Sequence, residues 1–223
     1  METKQLSLKH LVREPAVKTE KPPLLLLLHG VGSNEEDLFG LADHLDERFF
    51  IVSARAPHTL GYGSYAWFHV QFTPNGPVIV PEEAESSRLA LLDFVDEAVD
   101  AYGLDPARVY VMGFSQGSTI SMSLALTAPD KLAGVVAMSG RTLPDLSPKI
   151  APSEKLKGLS VHVVHGTDDQ VLPIHYGRET RDILSRLPVN LTYHEYPMAH
   201  HVSAQSLSDI SEWLKLRLDS QKA

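Results

Sequence analysis

Apolar and polar positions alternate in blocks along this 223-residue chain, and the blocks read as strands and helices in turn. Residues 23–28 form an unbroken apolar run closed by His29-Gly30, the composition of a strand buried on both faces. Residues 49–54, 108–112, 134–138, 160–164 and 191–195 read as strands for similar reasons, and 5–12 as a strand at the sheet edge. Helices are predicted over 35–45 behind a capping Asn34, over 82–102, and over 118–126, 174–187 and 203–218. The second carries Leu89, Leu92, Val95 and Val99 on one face, with Gly103 as its stop. Strands separated by helices predict an α/β fold with a mostly parallel sheet and helices on both faces. No repeat or linker divides the chain, so residues 1–223 read as one domain. Within it, residues 1–22 supply the edge strand and a Lys-, Glu- and Pro-rich surface connection.

One stretch breaks the rhythm. Residues 58–81 interleave Gly61, Gly63, Pro74, Gly76, Pro77 and Pro81 with Tyr62, Tyr65, Trp67, Phe68 and Phe72. The pattern predicts a long irregular excursion, and such loops in compact domains are usually functional. It is too short to hold a large cap domain.

Composition then narrows the function. A formal charge of -8 argues against a nucleic-acid partner, which needs a basic face. The chain has no cysteine, which removes disulfides, thiolate metal sites and a cysteine nucleophile together. The amino-terminal segment carries no apolar run of signal-peptide type, and residues 24–28 are far too short to cross a bilayer. These features fit a cytoplasmic protein without integral membrane association. The eleven histidines include His58, His69, His162, His165, His175 and His194, which are scattered without metal-ligand spacing. No metal and no cofactor are expected.

Gly113-Phe114-Ser115-Gln116-Gly117 carries the chemistry. A Gly-x-Ser-x-Gly placed between a buried strand and a helix of small residues is a nucleophile elbow, which holds the serine on a sharp turn. A serine hydroxyl needs a base, and the base needs an orienting acid, in the chain order Ser, acid, His for this architecture. Asp168-Asp169 follows the 160–164 strand and His200-His201 follows the 191–195 strand, both at the carboxyl edge of the sheet. Spacing alone does not choose within either doublet.

The chain resembles the phospholipase/carboxylesterase group of α/β-hydrolases, which includes the acyl-protein thioesterases. The likeness runs from about residue 24 to 216. It rests on Leu28-His29-Gly30-Val31-Gly32-Ser33, Asp105-Pro106-Ala107-Arg108-Val109, Gly113-Phe114-Ser115-Gln116-Gly117-Ser118 and Met138-Ser139-Gly140. The runs 165–173 and 197–202 complete it. The resemblance implies Ser115, Asp169 and His200 as catalytic residues, with the backbone amides of Val31 and Gln116 as oxyanion donors. Pro197 stands where the family often has Gly, so the turn ahead of His200 is its own. His29 and His165 read as bracing and packing residues. Trp67, Phe68 and Phe72 are candidates for the substrate pocket, and Met122 and Leu126 for the core.

The implied activity is hydrolysis of small to medium carboxylic esters through an acyl-enzyme. Acyl-thioester or lysophospholipid cleavage by the same residues is the alternative. A non-catalytic binding protein on the same scaffold is a third reading, in which loss of one of the three groups would be expected. A homodimer is compatible with the resemblance, although no apolar stripe in the sequence marks an interface.

Overall fold

The computed structural model describes residues 3–74, 76–143 and 149–220. The amino-terminal half contains β1 (His10–Arg13), β2 (Leu24–Leu28), α1 (Glu36–Phe39), β3 (Phe50–Ala54), β4 (His58–Gly61), β5 (Ser64–Ala66), β6 (Val70–Thr73), β7 (Gly76–Ile79) and α2 (Pro81–Tyr102). It is followed by β8 (Val109–Phe114), α3 (Gln116–Thr127), β9 (Gly134–Met138), α4 (Ser153–Leu156), β10 (Ser160–Gly166), α5 (His175–Leu184), β11 (Asn190–Tyr196) and α6 (Ala204–Ser220).

Five consecutive leucines make β2, and none of them has any exposed surface. Successive side chains of a strand point to opposite faces. Leu24, Leu26 and Leu28 therefore join a core with residues of α2, α3 and α5, while Leu25 and Leu27 join a second core with α1 and α6. Seven strands pair in the order β1-β3-β2-β8-β9-β10-β11. Only β1 is antiparallel to its neighbour, so the mostly parallel sheet with helices on both faces is as expected. Residues 116–126 of α3 are all buried, including Met122 and Leu126, which is why this helix has no polar face in the sequence.

Four elements differ from the sequence expectation. The helix over 35–45 is broken: α1 ends at Gly40, whose N–H bonds back to Glu36 and Asp37, and a single 3-10 turn follows at Ala42–His44. The edge strand is shorter and later than 5–12. Residues ahead of it are drawn instead onto α2, with the Ser7 N–H on Glu97 and the Lys4 N–H on the Tyr102 hydroxyl. The buried face of α2 is Ala84, Leu91, Phe94, Val95, Ala98 and Tyr102, whereas Leu89 is 49% exposed. Helical spacing fits either stripe, and contact with the sheet selects the one containing the aromatic residues.

The 58–81 excursion is not irregular. It folds into two hairpins, β4–β5 and β6–β7, with Gly63 in the first turn and Gly76 opening β7, both at positive φ. Among the described residues they form no large cap. The segment 141–152 after β9 is rich in proline and reads as a loop, and its residues 144–148 lie outside the described residues. No helix among the described residues is long and apolar enough to cross a membrane.

Candidate active site

β8 delivers Ser115 to the carboxyl edge of the sheet, and α3 starts at once behind it. The turn is tight because strand and helix cross closely. A Cβ on Gly117 would lie 1.9 Å from the Leu28 carbonyl oxygen, and one on Gly113 would lie 2.2 Å from that of Gly117. Only glycine fits at either position. Ser115 itself takes φ 54°, a conformation an L-residue adopts at a cost, held by its N–H on the Met138 carbonyl at 2.9 Å. Backbone strain of this kind lifts the hydroxyl out of the helix and toward the loops.

Two of those loops converge on it. His200, after β11, has Nε2 2.9 Å from Ser115 Oγ and Nδ1 2.7 Å from Asp169 Oδ2. A carboxylate only accepts, so Nδ1 carries the proton and Nε2 accepts from the serine hydroxyl. Asp169, in the loop after β10, is buried, and its Oδ1 accepts the N–H groups of Val171 at 2.9 Å and Leu172 at 2.8 Å. The doublets are thus resolved in space: Asp169 and His200 join Ser115 in one hydrogen-bonded chain, while Asp168 and His201 are exposed.

The surrounding histidines hold this arrangement without entering it. His165 is fully buried at the end of β10, and its Nε2 donates to the Leu172 carbonyl at 2.7 Å, fastening the loop that carries Asp169. His29 accepts the Ala56 N–H on Nε2 at 3.1 Å and donates from Nδ1 to the Gly30 carbonyl at 2.7 Å. Burial pushes both imidazoles below their ordinary value, which keeps them neutral.

Val31 and Gln116 both border the cleft beside Ser115. In the loop after β2 the Gly32 N–H donates to the Tyr65 carbonyl on β5 and the Ser33 N–H to the Gly30 carbonyl, while the Val31 amide takes no part in these bonds among the described residues. Gln116 opens α3, where first-turn N–H groups have no intrahelical acceptor. The cleft is shallow and open to solvent, and its wall is mainly apolar: Phe68, Val70, Pro77, Ile79 and Leu172.

Of the three aromatic pocket candidates, Phe68 lines this cleft. Trp67 does not. It is fully buried, its indole Nε1 donates to the His29 carbonyl at 2.9 Å, and it belongs to the core beneath the site. A buried indole N–H requires an acceptor, and that carbonyl supplies it. Phe72 lies on β6 opposite Pro77, and its side chain is outside the described residues.

Two features escaped the sequence. The Gln116 side chain clamps the excursion to the elbow: Oε1 accepts the Trp67 N–H at 2.7 Å and Nε2 donates to the Phe68 carbonyl at 2.6 Å. A polar side chain at the first turn of a buried helix needs such partners, which was the available signal. The second concerns the scattered histidines. The fold brings His58 and His69 together with Glu83, their candidate ligand atoms all within 4.8 Å of one another. Glu83 already accepts both the N–H and the Nδ1 proton of His69, at 2.7 and 2.9 Å, and that pairing accounts for their closeness.

A family model described as phospholipase/carboxylesterase matches residues 10–218. Acyl-protein thioesterase 1 of Cryptococcus neoformans is 31% identical over 238 residues, spanning 93% of this chain and 97% of the relative. That of Kluyveromyces lactis is 28% identical over 212 residues, spanning 87% and 92%. In three dimensions the Bacillus cereus carboxylesterase superposes with a TM-score of 0.82 at 26% identity, over 95% of both chains.

Proposed function

The chain belongs to the phospholipase/carboxylesterase family of α/β-hydrolases, and on that premise we propose that it is a serine carboxylesterase acting on small to medium esters through an acyl-enzyme. The observation that carries the reading is the chain from Ser115 through His200 to Asp169, built on a strained elbow at the edge of the cleft.

The chemistry follows from donors and acceptors. His200 Nε2 takes the Ser115 proton as Oγ attacks the ester carbonyl, and Asp169 stabilises the imidazolium that forms. The carbonyl oxygen becomes an oxyanion within reach of the Val31 and Gln116 amides. Preorganised donors of this kind each contribute about 3–4 kcal/mol to such reactions. Collapse breaks the ester C–O bond, and the alcohol leaves with the proton from His200. Water then surrenders a proton to the same Nε2, attacks the acyl-serine and releases the acid. The mainly apolar wall beside Ser115, formed by Phe68, Val70, Pro77, Ile79 and Leu172, supports an ester with a modest apolar portion.

Ser115→Ala tests this. Hydrolysis of p-nitrophenyl acetate and butyrate should vanish while thermal unfolding stays near that of the wild type. Retention of most of the turnover in the variant would overturn the assignment. Thioester cleavage is the second reading, supported by the names of the two relatives above. Turnover of short oxyesters, long-chain acyl thioesters and lysophospholipids, measured side by side, separates the two.

A further inference from the structure

Arg141 is built into the cleft beside Ser115, yet the proposed reaction makes no use of it. The chain leaves β9 through Ser139, held at φ 47° with its N–H on the Val164 carbonyl at 2.8 Å. Gly140 then presses against the elbow: a Cβ there would lie 2.4 Å from Ser118 Oγ and 3.0 Å from the Ser115 carbonyl oxygen. These two residues fix where Arg141 begins. Its N–H faces Thr119 Oγ1 at 3.4 Å, and that hydroxyl in turn donates to the Ser115 carbonyl at 3.2 Å. Arg141 is part of the same cleft wall as Ser115, Gln116 and Leu172.

The guanidinium has little company there. Nη2 donates to the Pro77 carbonyl on β7 at 3.0 Å, and Cζ stands 5.6 Å from the centre of the Tyr176 ring. Among the described residues no carboxylate forms an ion pair with it. The acidic groups whose fields reach it are both on α5: the Tyr176 hydroxyl first, and then Glu179, which is exposed. Partial burial works against the charge and lowers its pKa. A guanidinium offers five N–H donors in a planar fork; Pro77 engages one, the Tyr176 side chain is its other polar neighbour, and the rest are left to the cleft.

Two roles compete for this residue. As a strap it would hold the β6–β7 hairpin to the loop after β9, and the Pro77 bond does that. A neutral glutamine could make the same bond without placing a half-buried cation against a mainly apolar wall. The strap explains one donor and leaves the charge unexplained.

We infer that Arg141 is an anion subsite beside Ser115, and that the preferred substrates are short esters bearing a carboxylate a few bonds from the scissile carbonyl. The inference rests on the serine-esterase reading above and specifies its substrate class. The carboxylate is a spectator in the chemistry. The Ser115 Oγ–C bond replaces the ester C–O bond, the alcohol leaves with the His200 proton, and water restores the serine and frees the second acid. Charge-assisted pairing with the guanidinium fork orients the ester so that its carbonyl meets the Val31 and Gln116 amides. With a net charge of -8, the protein as a whole repels such substrates, so the selectivity must be local.

Isosteric pairs give the test, followed by pH-stat titration. On the acyl side, monoethyl adipate is compared with its terminal amide; on the alcohol side, 4-acetoxybutanoate with 4-acetoxybutanamide. The wild type should favour the charged member of at least one pair by about tenfold or more in kcat/KM, and the pair that responds identifies which side of the ester meets Arg141. The ratio should fall to near one in Arg141→Gln and lie between in Arg141→Lys. A purely structural strap would lower both members alike and leave the ratio unchanged, which would overturn the inference. So would a wild type that hydrolyses the neutral esters with a ratio near one. Where Arg141→Gln does not fold, the Arg141→Lys ratio decides. If no ester is turned over, the esterase reading fails by itself. Calorimetric titration of adipate into the wild type and Arg141→Lys then judges the subsite: binding weakened by the substitution supports it, and absent or unchanged binding refutes it.

Discussion

Replacing Asp169 by Asn changes one atom of the chain that reaches Ser115, and the structure dictates how that atom is presented. Asp169 Oδ1 accepts two backbone N–H groups, from Val171 and Leu172, at 2.9 and 2.8 Å. An amide NH2 placed there would face two donors with another donor. The Asn carbonyl must therefore take the Oδ1 position, leaving the NH2 to face His200 Nδ1, 2.7 Å from the present Oδ2. A donor at that point forces the imidazole proton onto Nε2, which then donates toward Ser115 Oγ and cannot accept its proton. Loss of the correct tautomer in serine enzymes costs about 10³–10⁴-fold in kcat, or roughly 4–5.5 kcal/mol of barrier. The fold should bear the change, because both Oδ1 hydrogen bonds survive with a neutral acceptor. A loss of about 1–2 kcal/mol corresponds to roughly 2–8 °C in Tm for a domain of this size. Steady-state hydrolysis of p-nitrophenyl butyrate and a thermal melt measure the two effects together. Activity within tenfold of the wild type in a folded variant would refute the tautomer reasoning. Asp168→Asn is the matched control on an exposed neighbour, with activity expected near the wild-type value.

Three further outcomes are expected. Gln116→Ala leaves the Trp67 N–H and Phe68 carbonyl without their partner, at a cost of about 2–4 kcal/mol for the two groups. Hydrogen exchange at the Trp67 amide should accelerate, and unchanged protection there would count against the clamp. Gly117→Ala should destroy the fold or cost more than about 3 kcal/mol, because backbone as well as side chain must yield; an expression and melting series reads this directly. His162 is buried against Trp213 and His194, and burial brings its pKa down to about 4. The unfolded histidine titrates near 6.5, so between these values the unfolded chain binds more protons. Its contribution is complete above pH ~6.5 and is lost as pH falls toward 4, by roughly 3 kcal/mol. His162→Leu should flatten the dependence of Tm on pH across that window, and an unchanged slope would contradict the assignment.

The parts of this protein that were legible in the sequence are those where burial is complete on both faces. Leu24 to Leu28 could hardly be anything but a central strand, and the glycines flanking Ser115 mark a close crossing whatever lies around them. Where an element is covered on one side only, pattern was weaker. The stripe through Leu89 and the one through Leu91 and Phe94 are both helical, and only the sheet beneath α2 tells them apart. The hairpins of the 58–81 stretch look irregular in sequence because their prolines, glycines and aromatics mask the alternation of short exposed strands. Residue type and order brought the site to two doublets, and the family motif chose within them. The spatial reason for that choice lay in backbone N–H groups and ring geometry that no spacing encodes. Contacts between distant segments were least accessible. The Gln116 clamp on Trp67 and Phe68, the gathering of His58, His69 and Glu83, and the approach of Arg141 to the elbow all join residues whose separation in sequence carries no period.

The central claim is that Ser115 forms a covalent acyl bond during turnover. A fluorophosphonate probe phosphonylates an activated hydroxyl far faster than an ordinary one, and peptide mass spectrometry locates the adduct. One equivalent on the peptide containing Ser115, abolished in Ser115→Ala and strongly slowed in Asp169→Asn, is the predicted result. No adduct on the folded wild type, or an adduct on a different residue, would contradict it.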